Sequence, residues 1–395
     1  MRGILEQRGD GRWRARVFAG RERGKVRWVS RTVTGSKREA QRALAQLITE
    51  VESGQVTTGH QLSLGELIDG WLDDIAPHRS AWTVYKYREI ARSSVKPALG
   101  SAKLAKLSPR QLDGFYAALT ERGLSPASVR RQHALVHAAL ERAVKWGLIP
   151  ANPADRATPP PLTYRAVTAP SVANVQSLMA GAEAEGDDVL ATAVALGAVT
   201  GARRGELCAL RWSDVDWERG LLRIARSLTV IRRNVTDGPT KGHQVRQVAI
   251  DGAMGTLLAA RREQQERLAA QVGVALSTDP YLLSRSADGS APCLPDGLSH
   301  AYERLAKKLG IPGHLHELRH FSATTAIAGG SDIRTVAGRL GHADPSVTLR
   351  VYAHALEARD RELATMLSRA VLGPVDGSPK PDQAHIPVVD PIANV

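Results

Sequence analysis

The stretch HELRHFSATT, residues 316–325, holds residue types for two different chemistries. His316, Glu317 and His320 spell H-E-x-x-H, in which two imidazoles one helical turn apart grip zinc and the glutamate activates a water. The same letters contain His316-x-x-Arg319, an imidazole and a permanent cation on one helix face, which suits a phosphate instead. A zinc site needs a third protein ligand. The extended metzincin pattern wants glycine three residues after the second histidine and another histidine three later, where Ala323 and Ala326 stand. Glu357 is the distant carboxylate that remains, and Arg319 would set a fixed positive charge within a turn of both ligands.

The other cations favour phosphate. TGARRGELCALRWSDVD, residues 200–216, places Arg203 after a glycine turn at the start of a helix, where a guanidinium and backbone N–H groups can face one anion. PTKGHQVRQVAI, residues 239–250, puts Lys241 in a turn leading into a strand. RLGHADPSVTLRVYAH, residues 339–354, ends one helix at Gly341, presents His342 in the turn, caps the next helix with Asp344-Pro345 and carries Tyr352 two turns into it. Each residue alone has an ordinary reading: a helix-end arginine for Arg203 or Arg204, a surface turn lysine for Lys241, hydrogen-bonded histidines for His316 and His342, a half-buried aromatic for Tyr352. Together, two arginines, a lysine, two histidines and a tyrosine suit a phosphodiester exchange.

These residues need elements to hold them, and the chain reads as a multidomain, mainly α protein with small β elements. Residues 1–55 suggest an α+β unit: WRARVF alternates, GRERGK offers a turn, VRWVSRTV resumes strand composition, and Ser36 with Glu39 boxes a helix carrying Leu44, Leu47 and Ile48. Up to Glu50 it holds thirteen Lys/Arg against five Asp/Glu, a net +8, beside Trp13 and Trp28. That concentration points to a nucleic-acid module rather than a merely solvated surface. Residues 60–155 read as an α-helical bundle whose helices open at Ser63, Ser80, Ser108-Pro109 and Ser125-Pro126. Residues 156–166 read as a linker, 167–372 as a mainly helical domain with one β-region, and the proline-rich 373–395 as a flexible tail. The candidate DNA contacts are Arg12, Arg14 and Arg16 in the first unit and Arg130 and Arg131 on the helix before the linker.

Composition agrees with this division. The 395 residues are 43% hydrophobic, enough for several cores, and a net charge of +13 makes a polyanion the expected partner, nucleic acid before a membrane surface. No run of eighteen apolar residues occurs, and MRGILEQRGDGRWR has no apolar signal core, so a soluble, unexported protein is expected. Cys208 and Cys293 are too few for a disulfide framework and fit a reducing cytoplasm.

With T-G-x-R-x-G-E at Thr200–Glu206, the turn lysine Lys241, H-x-L-R-H at His316–His320, and L-G-H followed ten residues later by Tyr352, the chain resembles the tyrosine recombinase family, in particular the integrases of temperate phages and integrative elements. KWGLIPANPA, residues 145–154, resembles the end of that family's core-binding domain. The resemblance implies an arm-type DNA-binding domain over 1–55, a SAM-like core-binding domain over 60–155 and a mixed, mainly α catalytic domain over 167–372. It implies Arg203, Lys241, His316, Arg319, His342 and the nucleophile Tyr352 as the catalytic set, with Glu206 and His320 in support, and neither metal nor cofactor. The implied partners are double-stranded DNA at core and arm attachment sites, three further copies of the chain in a homotetramer, a host DNA-bending protein and a directionality factor, with no membrane. A type IB topoisomerase shares the tyrosine chemistry but not the arm-like domain, and a non-catalytic DNA-binding protein should show an incomplete constellation.

Overall fold

The computed structural model describes residues 3–22, 25–52, 62–162, 169–232, 234–240, 244–341 and 364–372. The chain divides into two compact units, Met1–Arg165 and Ala166–Val395. Lys241, His342, Tyr352 and the proline-rich stretch after 372 lie outside the described residues.

The first unit opens with an antiparallel sheet of β1 (Gly3–Gly9), β2 (Arg12–Glu22) and β3 (Lys25–Thr34), followed by α1 (Lys37–Glu52). The period-two alternation of β2 decides its faces. Ala15 and Val17 are buried with Leu47 of α1, and Leu44 and Ile48 pack beside them. Arg12, Arg14 and Arg16 therefore stand on the other face, opposite Thr34, Thr32 and Ser30 of β3. The Arg16 guanidinium lies 5.1 Å from the Trp28 ring centroid on that face. The box expected at the start of α1 is present: Ser36 N–H donates to Glu39 (2.7 Å) and Glu39 N–H donates to the Ser36 hydroxyl (3.3 Å).

A helical bundle follows, made of α2 (Leu64–Ile75), α3 (Ala81–Ile90), α4 (Lys96–Leu99), α5 (Pro109–Glu121) and α6 (Pro126–Lys145). Ser63, Ser80, Ser108 and Ser125 each accept the expected N-cap bond. The helix opened by Ser80 runs further than its sequence suggests, because a π-turn at Ala91–Val95 carries it into α4, and Pro97, which has no N–H to donate, follows the widened turn where the regular bonding ladder is already interrupted. Val129, Leu135, Val136 and Leu140 of α6 are fully buried in one core with Leu64, Ile68 and Leu112. Arg130 donates from Nε to the Pro160 carbonyl (2.8 Å), while Arg131 is exposed.

The second unit begins with α7 (Val172–Ala184) and α8 (Asp188–Thr200) and continues through α9 (Arg204–Ala209), β4 (Val215–Asp216), β5 (Leu221–Ile224), β6 (Arg226–Ile231), β7 (Asn234–Pro239) and β8 (Arg246–Ala249). It continues through α10 (Gly252–Gln271), α11 (Pro295–Lys308), α12 (Glu317–Ala328) and α13 (Ile333–Leu340). The strands form two small antiparallel sheets, β4-β5-β8 and β6-β7. Almost every residue of α8 is buried, so this apolar helix forms the centre of the core and its C-terminal end is rigidly held. A further helical stretch at residues 364–372 leaves Met366, Leu367, Ala370 and Val371 exposed, whereas Leu363 of the same apolar stripe lies outside the described residues. Among the described residues no helix is long and apolar enough to cross a membrane.

Candidate active site

The buried α8 delivers the motif T-G-x-R. Its last residue, Thr200, donates from its hydroxyl to the Leu196 carbonyl (2.6 Å) and accepts from the Ala202 N–H (3.2 Å), which fixes the turn from inside. Gly201 ends the helix in the left-handed conformation, φ 62°, and a Cβ there would run into Leu340. Glycine is required twice over, by the backbone and by the neighbour. Arg203 then occupies the N-cap position of α9.

Glu206 grips Arg203 in two places. Its carboxylate accepts the Arg203 backbone N–H (2.9 Å) and Nη1 (2.8 Å), while Arg203 Nη2 donates to the Gly341 carbonyl (3.2 Å). The backbone N–H expected to face an external anion is thus already taken. The Arg203 side chain keeps 26% of its surface exposed. Burial acts to raise the Glu206 carboxyl, but bonds and charge from Arg246 and Arg203 outweigh it and hold it below the ordinary carboxylate range.

Arg319 reaches the same turn from α12. It is 3% exposed, and its Nη1 donates to the Gly201 carbonyl at 2.6 Å. Residues 118 apart in sequence are thereby joined, so Arg203 and Arg319 flank one glycine turn. His316 occupies the N-cap position of α12 without a side-chain cap bond and retains contact with solvent. Partial burial of its ring, then the nearby His320, Arg319, His314 and Arg203, lower its pKa to about 4. Its neutral form is therefore favoured.

Among the described residues His316, Glu317 and His320 form no three-ligand cluster, and Glu357, the distant carboxylate, lies outside them. The His316 and His320 rings meet edge to face, centroids 5.2 Å apart at 84°. Glu317 lies 4.0 Å from His314, and its carboxyl is raised chiefly by burial. Among the described residues no group of three or more His, Cys, Asp and Glu side chains stands together as a metal-binding set.

Two residues escaped the sequence reading. Arg246 of β8 is buried and donates from Nη2 to Glu206 Oε2 (2.7 Å) and from Nε to the Arg339 carbonyl (2.9 Å). Arg339 of α13 donates from Nη2 to the carbonyls of Val199 (2.9 Å) and Ala249 (3.2 Å), fastening the end of α8 to β8. A signal for Arg246 existed: in β8 it occupies the inward phase shared with Val248, where an arginine is tolerated only with partners. Arg339 gives no such local sign. Lys241 and His342 fall beside described anchors. The Thr240 hydroxyl donates to the Gln244 carbonyl (2.6 Å), so the described residues on either side of Lys241 are bonded to each other. Gly341, φ 69°, ends α13 immediately before His342.

The chain's sequence and fold are shared with known proteins. The sequence model of the Phage integrase family matches residues 171–359, and that of the Phage integrase, N-terminal SAM-like domain matches residues 63–120. The ICEBs1 integrase of Bacillus subtilis is 24% identical over 331 residues, 83% of this chain and 89% of that protein. A XerC-like tyrosine recombinase of Caldanaerobacter subterraneus subsp. tengcongensis is also 24% identical, over 366 residues, covering 87% of this chain and 92% of its own. Among solved structures, the Tn1549 transposon integrase in complex with transposon right end DNA shares the fold at a TM-score of 0.66 and 17% identity, over 77% of this chain and all (100%) of that one. A lambda integrase tetramer bound to a Holliday junction shares it at a TM-score of 0.57 and 18% identity, over 88% of this chain and 94% of that one. The chain belongs to the phage integrase family of tyrosine recombinases and is a mobile-element integrase, an enzyme of site-specific DNA recombination.

Proposed function

We propose that this integrase cuts and rejoins DNA through a 3′-phosphotyrosyl link on Tyr352. The observation that carries the reading is the convergence of Arg203 and Arg319 on the Gly201 turn, beside a neutral His316. A phosphodiester resists attack because its non-bridging oxygens are negative and its 5′-alkoxide leaves badly. Arg203 and Arg319 neutralise those oxygens, and His342 donates one more hydrogen bond. The Tyr352 oxygen attacks phosphorus as its proton passes to His316. The P–O5′ bond breaks, and Lys241 supplies the proton to the departing oxygen. The phosphate ester is conserved in the tyrosyl link, so attack by a partner 5′-hydroxyl restores the backbone without ATP.

The DNA is held at core sites by the bundle and the catalytic unit, with Arg131 facing it and Arg130 shared between DNA and the Pro160 segment. Four copies act on two duplexes through a Holliday junction, as the lambda tetramer's junction complex suggests. The exposed stripe Met366, Leu367, Ala370 and Val371 supports docking onto a neighbouring copy. A host DNA-bending protein and a directionality factor complete the assembly, in the bacterial cytoplasm where the nucleoid is.

A nicked duplex carrying the junction between the element and its chromosome tests the chemistry. The wild-type chain is expected to become covalently attached to it, visible on a denaturing gel, with equal yield in excess chelator. Stoichiometric zinc that is lost with activity on chelation, and that alone restores it, would return the H-E-x-x-H reading.

The outward sheet face with Arg12, Arg14 and Arg16 is the proposed arm-site reader. Deleting residues 1–55 should leave cleavage of a short core duplex intact and abolish recombination that requires distant arm sites. Loss of about three phosphate contacts should also flatten the log-log salt dependence of binding to arm-containing DNA by roughly three. An unchanged slope together with normal integration would exclude this face from DNA binding.

A further inference from the structure

We propose that Arg246 is a positioning residue for the Arg203 guanidinium, acting through the carboxylate they share. The inference rests on the proposed role of Arg203. The bonds form a closed circuit. Glu206 Oε1 accepts Arg203 Nη1, while Oε2 accepts both the Arg203 backbone N–H (2.9 Å) and Arg246 Nη2 (2.7 Å). Arg246 Nε then reaches the Arg339 carbonyl, two residues before Gly341, whose own carbonyl returns to Arg203 Nη2. A Cβ on Gly341 would stand 2.9 Å from Arg246 Nη1, so the helix end and the guanidinium are in close contact. Glu206 and Arg246 are almost sealed, with side chains 1% and 7% exposed, which keeps water from substituting for either partner.

Two consequences follow from one carboxylate serving two cations. The first is orientation. With Arg246 drawing on Oε2, Glu206 meets the Arg203 side chain through Oε1 and leaves Arg203 Nη2 for the Gly341 carbonyl. Without Arg246, a buried carboxylate is best satisfied by taking both Arg203 nitrogens in a bidentate pair, which turns the guanidinium away from its present setting. The second is charge. Glu206 now cancels one of two cations, whereas alone with Arg203 it would cancel the charge that the DNA phosphate needs.

The sign of the pH effect is fixed by the same arrangement. Arg246 favours the ionised carboxyl and burial favours the neutral acid. Removing Arg246 leaves burial in place, so Glu206 takes its proton at higher pH and releases Arg203 there. Of the other charged groups around α9, Arg226 of β6 is paired with Asp214, and Asp296 of α11 with Arg204. Arg319 and Arg339 hold backbone carbonyls, and His316 titrates on its own account in the acid range.

The test measures single-turnover covalent attachment to the nicked junction duplex against pH, with DNA affinity and melting temperature taken on the same samples. Arg246→Gln should slow attachment by about 10- to 100-fold with DNA affinity unchanged, since a misaligned group costs rate before binding. Its acid limb should move to higher pH by about one unit or more. Arg246→Lys, which keeps one charge and one bond, should fold normally and fall between. Glu206→Gln combined with Arg246→Gln should lose the shift, which separates Glu206 from His316 as its source. A wild-type rate and profile in Arg246→Gln would overturn the proposal. So would losses of stability and affinity in both the Gln and Lys variants with the acid limb unmoved. If the wild-type chain itself forms no covalent complex, the functional reading fails instead.

Discussion

Tyr352→Phe is expected to bind the junction duplex as tightly as the wild type and to form no covalent complex with it. The substitution removes one phenolic oxygen and keeps the ring, so packing and phosphate contacts elsewhere are preserved. Arg203 and Arg319, the proposed phosphate clamp, remain, but the proposed attacking atom is gone. Loss of an enzyme nucleophile commonly lowers the rate by a factor on the order of 10^4 or more, which on a denaturing gel reads as an empty lane. The free tyrosine pKa of about 10 makes the wild-type reaction depend on a proton acceptor, the role proposed for His316. Equal trapping by the phenylalanine variant would move the nucleophile to another residue and break the mechanism at its central step.

Gly201→Ala is expected to lower both stability and cleavage. The added methyl group forces an L-residue into the left-handed region, at about 1–2 kcal/mol, and drives a Cβ into Leu340 with Ser322 Oγ 3.2 Å away. Overpacking adds about 1–3 kcal/mol. A total of about 3 kcal/mol corresponds to a melting temperature lower by roughly 10 °C for a unit of this size. The Gly201 carbonyl is the acceptor for Arg319, and its turn positions Arg203, so attachment to the nicked duplex should fall even well below the melting transition. Gly255→Ala is the opposite control. That glycine lies inside α10 with nothing within 4 Å of a built Cβ, and alanine is the better helix former there by up to about 1 kcal/mol. If Gly201→Ala melts and cleaves like the wild type, the turn is not the rigid support described above.

The residues that were legible in the sequence are those whose partners lie within one helical turn. Ser63 with Glu66 satisfies a helix N-terminus across three residues, and Ser108 with Pro109 marks another, so their letters alone announce where α2 and α5 begin. Gly201 and Gly341 mark helix ends for the same local reason, and Arg203 could be placed after the first of them. Period-two alternation likewise put Ala15 and Val17 on one face of β2 and three arginines on the other. The use made of the site's cations was not legible, because it is decided by contacts between distant segments. Glu206 meets Arg246 across 40 residues and Gly201 meets Arg319 across 118, distances at which no spacing rule operates and only core packing brings partners together. The same packing acts within HELRHFSATT, directing Arg319 to the Gly201 carbonyl and setting the His316 and His320 rings edge to face. Local letters determined which side chains were offered to the site. The burial of α8 and the turn at its end determined which of them meet.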